Sequence, residues 1–336
     1  MKAIQIQNKF GMENLALIER PEPTPGPHEV LIEVKAASLN FRDLMTVLGT
    51  YNPRQSLPLI PCSDGAGVVT AVGAGVTRMQ VGDRVAGIFA QRWLSGPADK
   101  AVGRSTLGGP LDGMLAEQVV LHEEGIVKLP EHLSFEEGAT LPCAGVTAWH
   151  ALIEHGWIKA GDQVLLQGTG GVSLQALLLA RACGAEVFIT SSSDEKLARA
   201  QALGAAHVIN YKSEPDWEKK VVELSGGGVD HVVEVGGAGT LAKSIDAVRV
   251  GGKISVIGVL SGIKTDIDLR RILMRGVQLQ GVFVGSRQMF EDMNRAIALH
   301  RLHPVIDRVF PLEQTREAFQ HMAGGKHFGK IVIRLG

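Results

Sequence analysis

QVLLQGTGGVSLQALLLARACGAEVFIT, residues 163–190, combines two short apolar runs, a glycine-rich turn and a long apolar segment. Gln163–Gln167 and Glu186–Thr190 each have the length and composition of a buried strand. Val172–Cys183 is apolar almost all round, which predicts a buried helix that ends at Gly184. Two parallel strands joined by a helical crossover form a βαβ unit, and the rest of the chain is interpreted around it.

The turn at 168–171 reads GTGG and has the composition of a pyrophosphate site. Glycines allow a tight turn and a close approach of an anion to the main chain, and the next helix points unpaired N–H groups at that anion. The dinucleotide pattern G-x-G-x-x-G is met only in part, because Ser173 stands at the last glycine position. A structural turn without a ligand is the alternative. The predicted cofactor-binding residues of the turn are Gly168, Thr169, Gly170, Gly171 and Val172.

The end of the second strand favours NADP(H) over NAD(H). NAD sites usually place Asp or Glu at this position to bind the ribose 2′-hydroxyl. Here residues 190–193 read TSSS, so hydroxyl groups and the nearby Lys196 are available to a 2′-phosphate. Ser193 or Asp194 could instead cap the helix Glu195–Leu203, and capping is compatible with phosphate contact. The predicted phosphate-binding residues are Ser191, Ser192, Ser193 and Lys196.

Composition places the chain among ordinary globular proteins. It has 336 residues, 45% of them hydrophobic, which is enough for two domains. A formal net charge of −1 predicts no general attraction to nucleic acid or to an anionic membrane. No apolar run reaches membrane-spanning length, and the first residues lack the apolar core of a signal peptide. Three widely spaced cysteines suit a reducing compartment, so we expect a cytoplasmic protein that acts on a small molecule.

The chain contains two kinds of sequence pattern. Residues 1–125 contain short apolar stretches separated by Gly, Pro and Asp, which predicts a β-rich, barrel-like domain. Residues 126–285 alternate strand and helix patterns, which predicts a doubly wound parallel sheet of the α/β class. The tail, 286–336, contains two helices and a final strand that we expect to return to the first domain. The predicted strands outside the βαβ unit are Lys2–Ile6, Val30–Ala36, Gly67–Val72, Arg84–Ile88, His207–Asn210, Val229–Val235, Lys253–Leu260, Val277–Val284 and Lys330–Arg334.

Later strands of the predicted sheet end in glycine or apolar residues. The carboxyl edge of a doubly wound sheet is where such proteins bind ligands, so these strand ends are expected to line the cofactor site. The residues so predicted are Val235, Gly236, Ile257, Gly258, Phe283 and Val284.

Several segments carry a resemblance to a known family over essentially the full length. They include LNFRD (39–43), PLIPCSDGAGVV (58–69), LPCAGVTAWHAL (141–152), QGTGGVS (167–173) and HFGKIVI (327–333). The sequence resembles the medium-chain dehydrogenase/reductase superfamily, and most closely its zinc-independent, quinone-oxidoreductase-like branch. The resemblance implies a GroES-like catalytic domain (1–125 plus 286–336) with an inserted Rossmann domain (126–285). It also implies NADP(H) as cofactor and a homodimer whose edge is strand 277–284.

The zinc alcohol dehydrogenases of this superfamily hold their catalytic metal with three protein ligands. The resemblance places those ligands at Asn40, at Ser63 and near Cys143. Asn and Ser are poor zinc ligands, and the structural zinc lobe would require four cysteines where the loop 91–109 has none. We therefore expect no zinc, and Cys143 is interpreted as a small core residue.

Without a metal, hydrogen bonds must stabilise the charge that hydride transfer places on a carbonyl oxygen. A quinone or an enone suits such a site, because conjugation spreads the charge to a distant oxygen. The resemblance places Asn40 beside the nicotinamide and substrate and Tyr51 in a loop that borders the substrate cleft, and the predicted catalytic residues are Asn40, Asp43 and Tyr51. Each has a structural alternative: a turn-forming Asn, an Asp paired with an arginine such as Arg84, and a loop-packing Tyr.

Two further residues are placed at the cofactor by the resemblance. Thr147 is expected to touch the nicotinamide face, although a threonine that bonds back to its own helix is the alternative. Lys330 is expected to reach the cofactor from the closing tail, and a surface lysine is the alternative.

The function predicted is an NADPH-dependent reductase of a quinone, enone or related activated carbonyl. A zinc-free alcohol or aldehyde oxidoreductase and an NADPH-binding sensor with little turnover are the alternatives. Substrate specificity is expected to lie in the loops 45–60, 91–112 and 260–275.

Overall fold

The computed structural model describes residues 1–336 and divides them into two compact units. The first unit comprises Met1–Val146 and Gly285–Gly336, and the second comprises Thr147–Val284. The predicted boundary at 125/126 falls earlier than the observed one. Ile126–Lys128 forms a strand that pairs with Arg84–Gly87, so the segment after residue 125 adds to the first sheet.

Fifteen strands form the sheets of the two units. In chain order they are β1 (Lys2–Ile6), β2 (Leu15–Glu19), β3 (Glu29–Leu39), β4 (Asp64–Val72), β5 (Arg84–Gly87), β6 (Gln118–His122), β7 (Ile126–Lys128), β8 (Gln163–Gln167), β9 (Glu186–Ser191), β10 (His207–Asn210), β11 (Val229–Glu234), β12 (Val248–Val256), β13 (Gln278–Gly281), β14 (Ile306–Pro311) and β15 (Lys330–Arg334).

Ten α-helical segments accompany them, and short 3₁₀ turns occur between several elements. The α-helices are α1 (Phe41–Val47), α2 (Phe135–Gly138), α3 (Val146–Trp149), α4 (Gly171–Ala182), α5 (Asp194–Ala202), α6 (Trp217–Ser225), α7 (Leu241–Ala247), α8 (Leu269–Arg275), α9 (Arg287–His300) and α10 (Thr315–Ala323). The segment 141–155 is α-helical only in α3, because Leu141–Gly145 and His150–His155 are π-helical turns.

The first unit is built on a seven-stranded sheet with a separate two-stranded ribbon. The sheet order is β14-β15-β3-β4-β5-β7, with β6 pairing β3, and β1 pairs β2. The central strand β3 alternates buried and half-buried residues along its first half and is buried throughout its end. Its apolar face packs into a core that includes Val30, Ile32, Phe319 and Ile331. This strand leads directly into the polar cluster described below.

The second unit is a six-stranded parallel sheet in the order β10-β9-β8-β11-β12-β13. The order reverses between β8 and β11, which is the switch point where doubly wound sheets bind ligands. The doubly wound parallel sheet predicted from the sequence is therefore confirmed. Leu165, Phe188, Val232 and Ile254 are fully buried members of its core.

Several strand ends differ from prediction, and two of them have a clear local reason. β12 ends at Val256 because the next two backbone N–H groups, of Ile257 and Gly258, turn to the carbonyl oxygen of Glu234 at 2.9 and 3.3 Å. β13 ends at Gly281, and the extended backbone cannot continue through Val284, whose φ is +45°. The segment 269–275, expected to be a loop, is helix α8.

Candidate active site

A cluster of buried polar side chains gathers where β3 ends and α1 begins. Asn40 follows β3 with extended backbone and precedes the first turn of α1. Asp43 accepts the backbone N–H of Asn40 at 2.8 Å, which is the carboxylate half of a capping box. Asn40 is 9% exposed and Asp43 is fully buried. The local sequence N-x-x-D thus fixes the turn that carries Asn40.

Both carboxylate oxygens of Asp43 accept hydrogen bonds from backbone N–H groups. Its second oxygen accepts the backbone N–H of Ser63 at 3.3 Å, and the Arg42 guanidinium lies 3.6 Å away. Burial raises the pKa of Asp43 to about 6, against the lowering effect of Arg42. The arginine beside Asp43 is Arg42 and not the predicted Arg84, which binds carbonyl groups of 131 and 133. Asp43 therefore holds the backbone N–H groups of Asn40 and Ser63 in place.

Asp64 is the cluster member that sequence reasoning missed as a functional residue. Its side chain is fully buried, accepts the Ser63 hydroxyl at 2.7 Å and accepts the backbone N–H of Cys143 at 3.2 Å. Burial raises its pKa, while Lys330, Asn40 and Ser63 act in the opposite direction. The signal in the sequence was its neighbour Ser63, which stands where the resemblance places a ligand of the catalytic zinc.

Lys330 supplies the positive charge of the cluster. Its ammonium donates to the carbonyl oxygen of Leu39 at 2.7 Å and to Oδ1 of Asn40 at 2.5 Å, and lies 3.9 Å from Asp64. The side chain is 3% exposed, so the surface-lysine alternative is wrong. β15 pairs antiparallel with β3, with Ile331 opposite Leu39, which brings the lysine beside Asn40.

Tyr51 lies at the edge of this cluster. The residue is 43% exposed, and the Arg42 guanidinium carbon lies 5.0 Å from the ring centroid. Arg42 is also 5.0 Å from the ring of Phe89 and donates to the carbonyl oxygens of Leu107 and Gly109. Arg42 therefore ties the loop 91–112 to Tyr51, two of the regions expected to set specificity.

Zinc does not fit the residues of this cluster. Asn40 and Ser63 offer an amide and a hydroxyl, and burial raises the pKa of the Cys143 thiol far above the range in which it forms a thiolate. The Lys330 ammonium donates its hydrogens into the same group of oxygens. A zinc ion at this position would be repelled by the positive charge of Lys330.

In the second unit, the glycine turn has the geometry that an anion site needs. Gly168 has φ +69°, a conformation that favours glycine, and a Cβ built at Gly168 or Gly170 meets nothing within 4 Å. Gly170 precedes α4, and no side chain caps that helix. Open space beside the main chain and an uncapped helix N-terminus fit a dinucleotide pyrophosphate. Thr169 and Val172 lie in the same turn and first helical turn.

The strand tip at β9 carries the predicted serines. The Ser191 hydroxyl accepts the backbone N–H of Ser193, and the Ser193 hydroxyl accepts that of Lys196, both at 3.4 Å. Ser193 is thus the N-cap of α5, as the alternative interpretation held. A hydroxyl that accepts one hydrogen bond still has its own hydrogen to donate, so capping leaves these serines able to bind a phosphate. Ser192 is half-buried beside them.

A carboxylate at the switch point was not predicted. Glu234 ends β11, is fully buried and accepts the backbone N–H groups of Gly236 and Gly237 at 2.8 and 2.9 Å. It also accepts Nε2 of Gln167, at the end of β8, at 2.8 Å and the Thr240 hydroxyl at 2.5 Å. Glu234 therefore joins the glycine-turn strand to the loop after β11. A buried strand ending in an acid just before two glycines was the signal in the sequence.

The predicted strand-end residues of β11 and β12 are brought together. A Cβ on Gly258 would lie 2.3 Å from the carbonyl oxygen of Val235, so only glycine allows this approach. Ser261 donates its backbone N–H and its hydroxyl to the carbonyl oxygen of Gly236, both at 2.7 Å. Ile257 is half-buried beside them.

Three predicted residues lie elsewhere in the second unit. Thr147 is 3% exposed in α3, between the two π-helical turns. The carbonyl oxygen of Val284 binds the imidazole Nδ1 of His150 at 2.8 Å, which ties the end of the sheet to the π-helical turn that follows α3. Phe283 is 40% exposed. π-Helical turns occur often at functional sites.

A doubly wound sheet with a glycine turn at its switch point defines a dinucleotide-binding oxidoreductase fold, and comparison with known proteins identifies its family. Residues 26–131 match the family model of the alcohol dehydrogenase GroES-like domain, and residues 171–299 match the model named zinc-binding dehydrogenase. The chain is 45% identical over 317 residues to a zinc-type alcohol dehydrogenase-like protein of Schizosaccharomyces pombe, covering 92% of this chain and 91% of that protein. The protein belongs to the medium-chain dehydrogenase/reductase superfamily.

Further relatives differ in the cofactor and substrate that their names state. Quinone oxidoreductase of Homo sapiens is 31% identical over 345 residues, covering 100% of this chain and 98% of that protein. A solved NAD-dependent alcohol dehydrogenase has a TM-score of 0.91 at 34% identity and covers 100% of both chains. The 2-octenoyl-CoA carboxylase reductase CinF, solved with NADP and 2-octenoyl-CoA, has a TM-score of 0.88 at 25% identity, covering 99% of this chain and 87% of that one. The protein is therefore an oxidoreductase of a nicotinamide-dependent family.

Proposed function

We propose that this protein is an NADPH-dependent, zinc-independent reductase of a quinone, an enone or a related activated carbonyl. The observation that carries the proposal is the cluster of Asn40, Asp64 and Lys330, which offers a held N–H donor in place of metal ligands. The names of a quinone oxidoreductase and of an enoyl-CoA reductase complex with NADP among the similar proteins support it.

The chemistry needs a hydride, which NADPH supplies when bound. The turn at 168–171 and the first residues of α4 would hold its pyrophosphate, and Ser191, Ser192, Ser193 and Lys196 would hold its 2′-phosphate. Asn40 donates an N–H to the substrate oxygen, where the electron pair displaced by the incoming hydride accumulates. The product oxygen or carbon then takes a proton from water or from Tyr51.

The remaining predicted cofactor residues have supporting roles in this proposal. Thr147, on its buried helical turn, would contact the nicotinamide. The strand-end residues would hold the rest of the cofactor, and Glu234 keeps their loop in place. These strand-end residues are Val235, Gly236, Ile257, Gly258, Phe283 and Val284.

The test is oxidation of NADPH and of NADH at 340 nm in excess chelator, with a quinone, an enone and an aldehyde as acceptors. We expect chelator-resistant turnover of NADPH with the quinone or the enone. Turnover only after zinc addition, or only with NADH, contradicts the proposal. Turnover confined to the aldehyde, or to an alcohol in reverse, favours the zinc-free alcohol dehydrogenase. Tight NADPH binding without turnover favours the sensor.

Location and assembly are proposed on separate grounds. The three cysteines are free, which suits a reducing cytoplasm. No helix of the structure has the length and apolar character needed to span a bilayer. We propose a homodimer formed along β13, which pairs with β12 on one side only.

A further inference from the structure

The Lys330 ammonium is held inside the first unit by acceptors of its own chain. Its Nζ lies 2.7 Å from the carbonyl oxygen of Leu39, 2.5 Å from Oδ1 of Asn40 and 3.9 Å from Oδ2 of Asp64. An ammonium has three hydrogens to donate and no acceptor. Two of them have acceptors at hydrogen-bond distance, and the carboxylate of Asp64 balances the charge.

This arrangement fixes the orientation of the Asn40 amide. An amide can turn either its oxygen or its NH₂ group toward a neighbour, but only the oxygen can face an ammonium. Nδ2 therefore points away from Lys330, and it lies 3.4 Å from the Ser63 hydroxyl. That contact is long, and Nδ2 carries two hydrogens. A side-chain hydrogen bond from the same amide lowers the pKa of Asp64, so a ligand oxygen would take over the hydrogen that faces Ser63. Asn40 is 9% exposed.

The same hydrogen bond strengthens the donor. An ammonium on the amide oxygen withdraws electron density from the nitrogen, so the N–H groups become more positive and bind an anionic oxygen more tightly. The effect is large where water is excluded, and Lys330 is 3% exposed. In a metal enzyme the corresponding charge sits on zinc itself.

We propose that Lys330 is a positioning residue that acts through Asn40: it orients and polarises the amide, whose N–H then stabilises the oxygen of the conjugated carbonyl as hydride arrives. This inference rests on the proposed function. In the step, the β-carbon of an enone accepts the hydride, the C=C electron pair moves to form the enolate, and the oxygen gains the negative charge. The nicotinamide is oxidised, and water supplies the proton that completes the reduction.

The first test is a double-mutant cycle with Lys330→Met and Asn40→Ala, assayed with an enone at saturating NADPH. We expect Lys330→Met to lower kcat by about 10- to 100-fold and to leave the NADPH Kd within about 3-fold, because roughly 1.5–3 kcal/mol is typical of a charge-assisted bond. In the Asn40→Ala background, Lys330→Met should lower kcat by less than about 3-fold, because the amide through which Lys330 acts is absent. Additive losses would overturn the inference.

The sequence expectation that Lys330 touches the cofactor gives a different result. In that case Lys330→Met would raise the NADPH Kd by tenfold or more and leave kcat at saturation intact. Lys128→Met is the matched control, because that lysine side chain is 55% exposed and pairs with Asp83. The control should leave kcat and Kd unchanged.

Lys330→Met leaves the buried Asp64 without its cation, so the variant could fail to fold. The pair Lys330→Met/Asp64→Asn removes both charges and restores the balance. We expect this double variant to fold and to remain slow. A folded double variant with wild-type kcat would refute the role of the ammonium.

A readout without turnover separates this inference from the proposed function. The side-chain ¹⁵N–¹H₂ signals of Asn40, assigned by their loss in Asn40→Asp, should move upfield in the charge-balanced double variant and stay in place in Lys128→Met. Unchanged signals would overturn the polarisation. Signals that move in a protein inactive toward every acceptor would instead overturn the proposed function while the Lys330–Asn40 coupling stands.

Discussion

At the scale of single residues, cofactor preference depends on the last residue of β9. Ser191 is 4% exposed, and its hydroxyl accepts the N–H of Ser193, which leaves its own hydrogen for a phosphate. A carboxylate at this point would repel a 2′-phosphate and would accept a ribose 2′-hydroxyl. The serine is therefore the position at which a single change should alter the choice between the two cofactors.

We expect Ser191→Asp to lower kcat/KM for NADPH by about 10- to 100-fold relative to NADH, in line with the 1.5–3 kcal/mol of a charged hydrogen bond. The measurement is the ratio of kcat/KM values with the two cofactors at one acceptor concentration. Ala160→Asp is the control, because Ala160 is exposed just before β8, at the opposite edge of the sheet. An unchanged ratio in Ser191→Asp would refute the assignment of the phosphate site.

Also at residue scale, His231 makes stability depend on pH. It is 1% exposed, bonds the Ser255 hydroxyl through Nε2 at 3.0 Å, and its Nδ1 has no hydrogen-bond partner. Burial lowers its pKa to about 3, with His155 and Lys253 adding to the effect and Asp230 opposing it. Below pH 6.5 the unfolded chain takes up a proton that the folded chain refuses until about pH 3. The free energy of unfolding should therefore fall as the pH drops through this window.

Between pH 7.5 and 5 this effect amounts to about 2 kcal/mol, from about 1.4 kcal/mol per pH unit below 6.5. Asp43, whose pKa is raised to about 6, acts in the opposite sense, so the comparison must be between variants. We expect His231→Phe to lose the acid-induced decline, measured as the shift of the urea midpoint between the two pH values. His300→Phe, at an exposed position on α9, should keep the wild-type shift.

At the scale of elements, the Glu234 carboxylate connects β8, β11 and α7. It accepts two backbone N–H groups and the side chains of Gln167, Thr240 and Ser244. Five donors converge on one buried anion, so its charge is stabilised by hydrogen bonds without a cationic partner. The loop after β11 owes its shape to this convergence.

Replacing that carboxylate by an amide should damage both the sheet and cofactor binding. In Glu234→Gln one oxygen becomes an NH₂ group that faces donors, and we expect unfolding to become easier by about 2–4 kcal/mol. NADPH affinity should fall as well, because the loop carrying Gly236 loses its anchor. Thermal unfolding and NADPH fluorescence titration measure the two effects. Glu223→Gln, in an exposed pair with Lys220, should change stability by less than about 0.5 kcal/mol.

At the scale of the whole molecule, the free edge of the second sheet is flanked by exposed apolar side chains. β13 pairs with β12 alone, and the segment before it exposes Ile263 (78%), Leu273 (77%) and Met274 (79%). An unpaired edge beside an apolar surface favours association with another chain. A second copy of this chain offers the same edge, so a two-fold pairing is self-complementary.

We expect Leu273→Glu to convert the proposed dimer to a monomer, because the interface would then bury an unpaired charge. Light scattering after size-exclusion chromatography gives the mass directly. Leu299→Glu is a control of equal exposure, at 78%, on α9 of the first unit. A wild-type monomer, or a dimer that persists in Leu273→Glu, would refute pairing along this edge.

Much of this architecture follows from local patterns in the sequence. The apolar run before the glycine turn, the helix after it and the acid-free tip of β9 are each encoded within a few residues, so strand, turn and helix could be predicted together. The switch-point glycines followed from the same reasoning. The observed strand end differs from the predicted one where a distant carbonyl oxygen accepts backbone N–H groups, as that of Glu234 does at the end of β12.

The polar cluster could not be predicted in the same way. Asn40 and Lys330 are 290 positions apart, and their contact exists because β15 pairs with β3. Burial, which sets the pKa values of Asp43 and Asp64 and makes the lysine an internal cation, is likewise a property of the folded chain. Local sequence thus predicted the fold, the family and the glycine turn, because backbone geometry and periodicity act over short distances. The charge and orientation of the groups around Asn40 were fixed by long-range strand pairing, since only that pairing brings them together and excludes water from them.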